Sequence, residues 1–100
     1  MRTIDRATAR ATAFKRDDKR EAKGQNRATL DSDLRLVLVA LVTDQPLDAK
    51  YRDHDLSGDW AGYRECHVKS DLLLIYRKSD ADTPRLARLA QQAFRLSLSS

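Results

Sequence analysis

Leu30, Leu34, Val37, Leu38 and Leu41 recur at the i, i+4, i+7, i+8, i+11 spacing of one helical face, which predicts a helix whose apolar stripe is core. Asp31 and Asp33 lie near its positive N-terminal end and Pro46 stops it. An earlier helical pattern starts at about Ala11 and ends at Gly24, read as a C-terminal cap. From Gly62 to Val68 the period shortens to two: Tyr63, Glu65 and His67 point one way, Arg64, Cys66 and Val68 the other. Leu72 to Tyr76 is an unbroken apolar run, the mark of a central strand covered on both faces. Asp80 to Pro84 reads as a turn, Leu86 to Ala90 as a final strand, and Met1 to Arg6, with Ile4 its large aliphatic, as an edge strand. The order strand, helix, helix, three strands predicts an α+β layer with both helices on one face of an antiparallel sheet.

The chain has 100 residues and no internal repeat, so residues 1–100 read as a single domain with a thin core and no room for a large enclosed cofactor cavity. No apolar run approaches the ~20 residues that span a bilayer, and Met1 to Arg10 lack the apolar stretch of a signal peptide. Cys66 is the only cysteine, which excludes an internal disulfide and any multi-cysteine zinc site. A cytoplasmic protein with no membrane partner is the expectation.

The net charge of +4 is unevenly spread. Residues 1–30 carry nine Lys and Arg against four acids, and the remaining seventy carry ten against eleven. Lys15, Lys19 and Lys23 share a face of the first helix with Arg16 and Arg20 beside them, making a cationic ridge. Such a ridge is either a solvated face or the footprint of a polyanion contact.

The reactive inventory is short. Cys66 and His67 are strand neighbours, so their side chains point to opposite faces and cannot form a nucleophile–base pair. His54 and His67 are thirteen residues apart with Asp53, Asp55, Glu65 and Asp71 nearby. That spacing matches no standard metal motif. Two imidazoles beside carboxylates on a basic chain suit proton transfer on an RNA phosphodiester, where the 2′-hydroxyl is the nucleophile and neither metal nor cofactor is required.

The segment Asp53-His54-Asp55-Leu56-Ser57-Gly58-Asp59-Trp60-Ala61-Gly62-Tyr63-Arg64-Glu65-Cys66-His67-Val68, followed by Asp71-Leu72-Leu73-Leu74-Ile75-Tyr76, closely resembles the D-H-x-L-x-G-x-W-x-x-Y-R-[DE]-x-H-[VI]-x-x-D-x-[LV]-L-I-Y signature of the YafQ-type branch of the RelE/ParE toxin superfamily. Ala13 to Asp17, the helix from Leu30, and Leu47 to Arg52 also look familial. The resemblance implies a type II toxin that enters the ribosomal A site and cuts mRNA, with a RelE-like, microbial-ribonuclease-like fold of two N-terminal helices on a curved antiparallel sheet. It implies catalytic roles for His54 and His67, with Glu65 and Asp71 orienting or tuning them and Arg88 holding the phosphate. It also implies docking of ribosomal RNA on Lys15, Arg16, Lys19 and Lys23, a cognate antitoxin as partner, and operator DNA bound only through that antitoxin.

One departure from the family pattern concerns the last strand. Where the family reads L-x-R-x-G-[ST]-H-x-x-L, Arg88 keeps the arginine, Ala90 replaces the glycine and Gln92 occupies the position of a third catalytic histidine. Glutamine can hydrogen-bond a phosphate oxygen but cannot exchange a proton near neutral pH. Two readings follow: an endoribonuclease, attenuated or working with His54 and His67 alone, or a degenerate homologue that binds its antitoxin without cutting. A gyrase poison of the ParE type would have no need of His54, His67 and Asp71. Trp60 and Tyr63 are stacking candidates on RNA or packing anchors, and Tyr76 reads as structural.

Overall fold

The computed structural model describes residues 9–24, 28–78 and 83–91. The expected strand at Met1 to Arg6, most of the Asp80 to Pro84 turn, and Gln92 lie outside them. The elements are β1 (Ala9–Arg10), α1 (Thr12–Ala22), α2 (Leu30–Val42), β2 (His54–Asp55), β3 (Arg64–Lys69), β4 (Leu72–Lys78) and β5 (Pro84–Gln91). Short 3₁₀ turns span Ala49–Tyr51 and Gly58–Trp60.

Both helices form as their periodicity requires. All five positions of the α2 stripe are buried, Leu34 and Val37 completely. Pro46 is not what ends α2. Asp44 takes a left-handed φ of 58°, and the N–H groups of Asp44 and Gln45 return to the carbonyls of Leu41 and Ala40 at 3.3 and 2.8 Å, a Schellman closure that satisfies the last carbonyls before the proline. In α1 the buried face is Phe14, Asp17 and Glu21. Gly24, read as the C-terminal cap, lies one residue beyond it. The cap residue is Lys23 at φ −105°, and the helix ends by tightening, with Lys23 and Gly24 N–H donating to Arg20 and Glu21 carbonyls at 3.1 Å.

The sheet order is β1-β5-β4-β3-β2. From β2 to β5 the neighbours are antiparallel, as expected, but β1 pairs parallel to β5, Ala9 opposite Arg85 and Arg10 opposite Leu86. The sheet is therefore mixed. Parallel neighbours need a long crossover, and here everything from α1 to β4 is that crossover. Central β4 is buried from Leu72 to Tyr76. Leu72, Leu74 and Tyr76 join Cys66, Val68, Leu86 and Leu89 against the helices, and Leu73 and Ile75 occupy the other face in register with His67 and Glu65.

β1 covers only two residues of the β5 edge, and α1 closes the rest. The Asp17 carboxylate, 2% exposed, accepts from the Leu89 N–H at 3.0 Å, from Arg88 Nε and Nη2 at 2.7 and 3.1 Å, and from Arg20 Nη1 at 3.0 Å. Arg20 Nη2 donates to the Leu89 carbonyl at 3.0 Å. A buried carboxylate with this many donors is worth most when it is removed, because its partners are left unpaired. Asp17→Ala is expected to lower unfolding stability by about 3 kcal/mol in urea titration, with the m-value unchanged; a loss below about 1 kcal/mol, the scale of an ordinary surface pair, would show that the clasp is dispensable.

Candidate active site

The chain enters β2 through a sharp reversal. Asp48 caps the turn Ala49–Tyr51 by accepting from the Lys50 N–H at 3.0 Å, and Arg52 then adopts a left-handed φ of 50°. That reversal brings the Arg52 carbonyl to 2.7 Å from Nδ1 of His54. A carbonyl only accepts, so Nδ1 carries a proton. β2 pairs His54 with Glu65 across the ladder, and Nε2 of His54 stands 3.3 Å from Glu65 Oε1. Both ring nitrogens thus face oxygens, an arrangement that the imidazolium, with two donors, satisfies fully. His54 is half-exposed and Glu65 is buried.

The residues on either side of His54 are anchored to the opposite face of the sheet. Asp53 accepts from Tyr76 Oη at 2.5 Å and from Arg64 Nε and Nη2 at 3.0 and 2.8 Å, while Arg64 Nη1 bonds Asp55. One guanidinium therefore brackets the histidine through both flanking carboxylates. The hydrogen bonds that Arg64 donates to Asp53 raise the Arg64 pKa, and burial together with Asp53 raises that of Tyr76, so Arg64 stays charged and Tyr76 stays a donor. Strand alternation set Arg64 on the face opposite His67, and Tyr76 read as structural. The available signal was the pairing of Asp53 and Arg64 in one motif, but only the β2–β3–β4 register shows that they meet.

His67 lies two residues from Glu65 on the same strand face, so His54 and His67 flank Glu65 across a diagonal of roughly 7–8 Å. Nδ1 of His67 is 3.3 Å from the Ser70 carbonyl, which places the proton on Nδ1 and leaves the Nε2 lone pair unengaged by any described residue. Asp71 is half-buried in the turn into β4. Arg88 is opposite Ile75, which is opposite Glu65, and so its backbone belongs to the same cross-strand row. Its guanidinium is drawn to Asp17, whose hydrogen bonds raise its pKa. The sequence reading gave Arg88 to the phosphate; nothing local in the sequence places Asp17 beside it.

The ridge on α1 is present with one change. Lys15, Arg16, Lys19 and Lys23 are exposed, whereas Arg20, though partly exposed, is engaged by Asp17, Glu21 and the Leu89 carbonyl. Trp60 and Tyr63 pack edge-to-face with centroids 5.4 Å apart, and Arg77 lies over the Tyr63 ring at 5.4 Å; they are packing partners of each other. Among the described residues no three His, Cys, Asp or Glu side chains gather to hold a metal ion, and no helix is long and apolar enough to cross a membrane.

A family model described as the bacterial toxin YafQ of type II toxin–antitoxin systems matches residues 6–93. The chain belongs to the YafQ toxin family. The mRNA interferase toxin YafQ of Escherichia coli K12 is 44% identical over 48 residues, 47% of this chain and about half, 52%, of that protein. The crystal structure of YafQ from E. coli BL21(DE3) superposes with a TM-score of 0.75 at 32% identity, covering 88% of this chain and 94% of that one. YafQ in the E. coli DinJ–YafQ toxin–antitoxin complex gives 0.73 at 32% identity over 87% and 92%. The α+β architecture is thus that of the YafQ toxins, mixed sheet included.

Cys66 is not placed to act as a nucleophile. It is completely buried on the helix side, and burial, reinforced by Asp53 and Glu65, pushes its thiol up to about 12. The fold favours the neutral thiol, so this contribution to stability is complete below the ordinary thiol pKa of about 8.5 and is lost as pH rises from there toward 12. At pH 8 the folded protein is expected to resist a thiol reagent that labels it immediately in denaturant. Rapid labelling without denaturant would contradict the burial.

Proposed function

We propose that this YafQ-family protein is a ribosome-dependent endoribonuclease that cuts mRNA in the A site by metal-free acid–base catalysis, in the cytoplasm, and is restrained by a cognate antitoxin. The observation that carries the reading is the pair of imidazoles flanking Glu65, one with both nitrogens facing oxygens and the other with Nε2 open. His67 Nε2 takes the proton from the 2′-hydroxyl, whose oxygen attacks phosphorus to form a 2′,3′-cyclic phosphate. The departing 5′-oxygen receives the proton on His54 Nε2, which Glu65 aligns. The attacking group belongs to the RNA, so the chemistry requires no metal or cofactor. Asp71 tunes the His67 end, and Arg88, its orientation set by Asp17, donates to a phosphate oxygen. Lys15, Arg16, Lys19 and Lys23 dock ribosomal RNA, a role that suits an exposed cationic face.

Gln92, at the position where the family signature has histidine, removes one proton-transfer group, and this favours a reduced rate. It also sustains the second reading, an antitoxin-binding module that reaches operator DNA through the antitoxin and does not cut. The DinJ–YafQ complexes show that YafQ of E. coli assembles with an antitoxin, and the corresponding partner here would be a small protein with a segment that folds on binding.

Expression without antitoxin is expected to arrest growth and yield mRNA ends in phase with codons. His54→Ala and His67→Ala should each lower cleavage by roughly 10²- to 10⁴-fold, and Gln92→His should raise it. Absence of arrest and of phased ends in both wild type and Gln92→His would sink the nuclease reading and leave the binding module.

A further inference from the structure

β2 covers the edge of β3 only opposite Arg64 and Glu65, and the turn Ala49–Tyr51 packs farther along that strand. Between them and α2 opens a cleft of about 390 Å³, lined by Leu36, Lys50, Tyr51, Arg52, His67 and Val68 among others. It opens at the β3 edge, where the chain passes from His67 on one face to Val68 on the helix side. His67 forms part of its wall, and Arg52, whose carbonyl holds His54, forms another part.

Besides the Asp33–Lys69 ion pair in its wall, the lining has two characters. Leu36, 61% exposed, together with Val68 and the Tyr51 ring, gives an apolar floor. Lys50 and Arg52 give a cationic rim, with the Lys50 ammonium 5.2 Å from the centre of the Tyr51 ring. Among the described residues neither side chain has a carboxylate partner, since Asp48 accepts from the Lys50 main-chain N–H and Asp33 pairs with Lys69 at 3.1 Å. Arg88 contrasts with them, because Asp17 takes up its charge. On the cleft side of His67, Lys50 and Arg52 are therefore cations that a second phosphate can meet, apart from the one Arg88 serves.

We propose that this cleft is a nucleotide subsite, which takes the RNA nucleotide adjoining the scissile phosphate, with its base against Tyr51, Leu36 and Val68 and its phosphate between Arg52 and Lys50. The assignment rests on the ribonuclease reading above. A strand threaded between His54 and His67 must continue past one of them, and the cleft beyond His67 matches it in volume, aromatic floor and charge. An acidic peptide meets the rim equally well but needs no continuity with the two imidazoles.

The test uses the full-length protein and a 2′-O-methylated RNA tetranucleotide that cannot be cut. Titration is expected to shift the amide resonances of Leu36, Tyr51 and Val68. Arg52→Gln and Lys50→Gln, which leave the main-chain contact to His54 in place, should weaken tetranucleotide binding and lower kcat/KM on programmed ribosomes by about 10- to 100-fold, chiefly through KM, with melting temperature unchanged. Arg52→Lys should retain most of the affinity. Active wild type with unchanged KM in both variants and no shifts at the cleft would overturn the subsite alone. Cleft shifts from an acidic antitoxin peptide but none from the tetranucleotide would also overturn it. Cleft shifts in a protein that never cuts would sustain the subsite while the nuclease reading fails.

Discussion

The carboxylate of Asp17 sits where the sheet would otherwise come undone. β1 pairs with two residues of β5 and then departs into α1, leaving the main-chain groups of Leu89 at an unprotected edge. Asp17 and Arg20, one turn apart on α1, supply the acceptor and the donor that this edge lacks. An open edge invites pairing with another chain, and covering it with a helix is one of the few remedies available to a small sheet. Two arginines and a backbone N–H compensate the cost of burying the charge. With β5 held, β4 has a neighbour on each side, and β3 gains the rigid support on which Glu65 and His67 depend.

A second carboxylate does comparable work at the opposite end. Asp53 is held by Tyr76 and Arg64 on the helix side of the sheet, while His54, the next residue, projects to the other side. Alternation along an extended chain makes this division of labour automatic: the residue that anchors and the residue that reacts are adjacent in sequence yet separated by the sheet. β2 is only two residues long, and the Arg64 bracket compensates for a ladder too short to hold its own register.

The distribution of cations follows from these two clasps. Arg20, Arg64 and Arg88 are committed to carboxylates and serve the architecture. Lys15, Arg16, Lys19 and Lys23 remain exposed on α1 at one end of the sheet, and Lys50 and Arg52 stand at the other. The excess charge of the first thirty residues is thus a surface property, while Arg88, the arginine with a catalytic role in the sequence reading, is also a strut tied to Asp17.

Periodicity alone was enough for both helices, the α2 stripe and the doubly buried β4, because which face of a helix or strand is apolar depends on residues a few positions apart. The signature from Asp53 to Tyr76 likewise placed both histidines and Glu65 in one region, and alternation separated Cys66 from His67. Other features depended on contacts between distant segments. These were the parallel pairing of β1 with β5, the two-residue β2, the left-handed turns at Asp44 and Arg52, the capture of Arg88 by Asp17, and the cleft beside His67. A local pattern reports which side of an element is buried; which partner arrives there is decided only when the chain closes, since the energy of a buried charge depends on donors supplied from some seventy residues away.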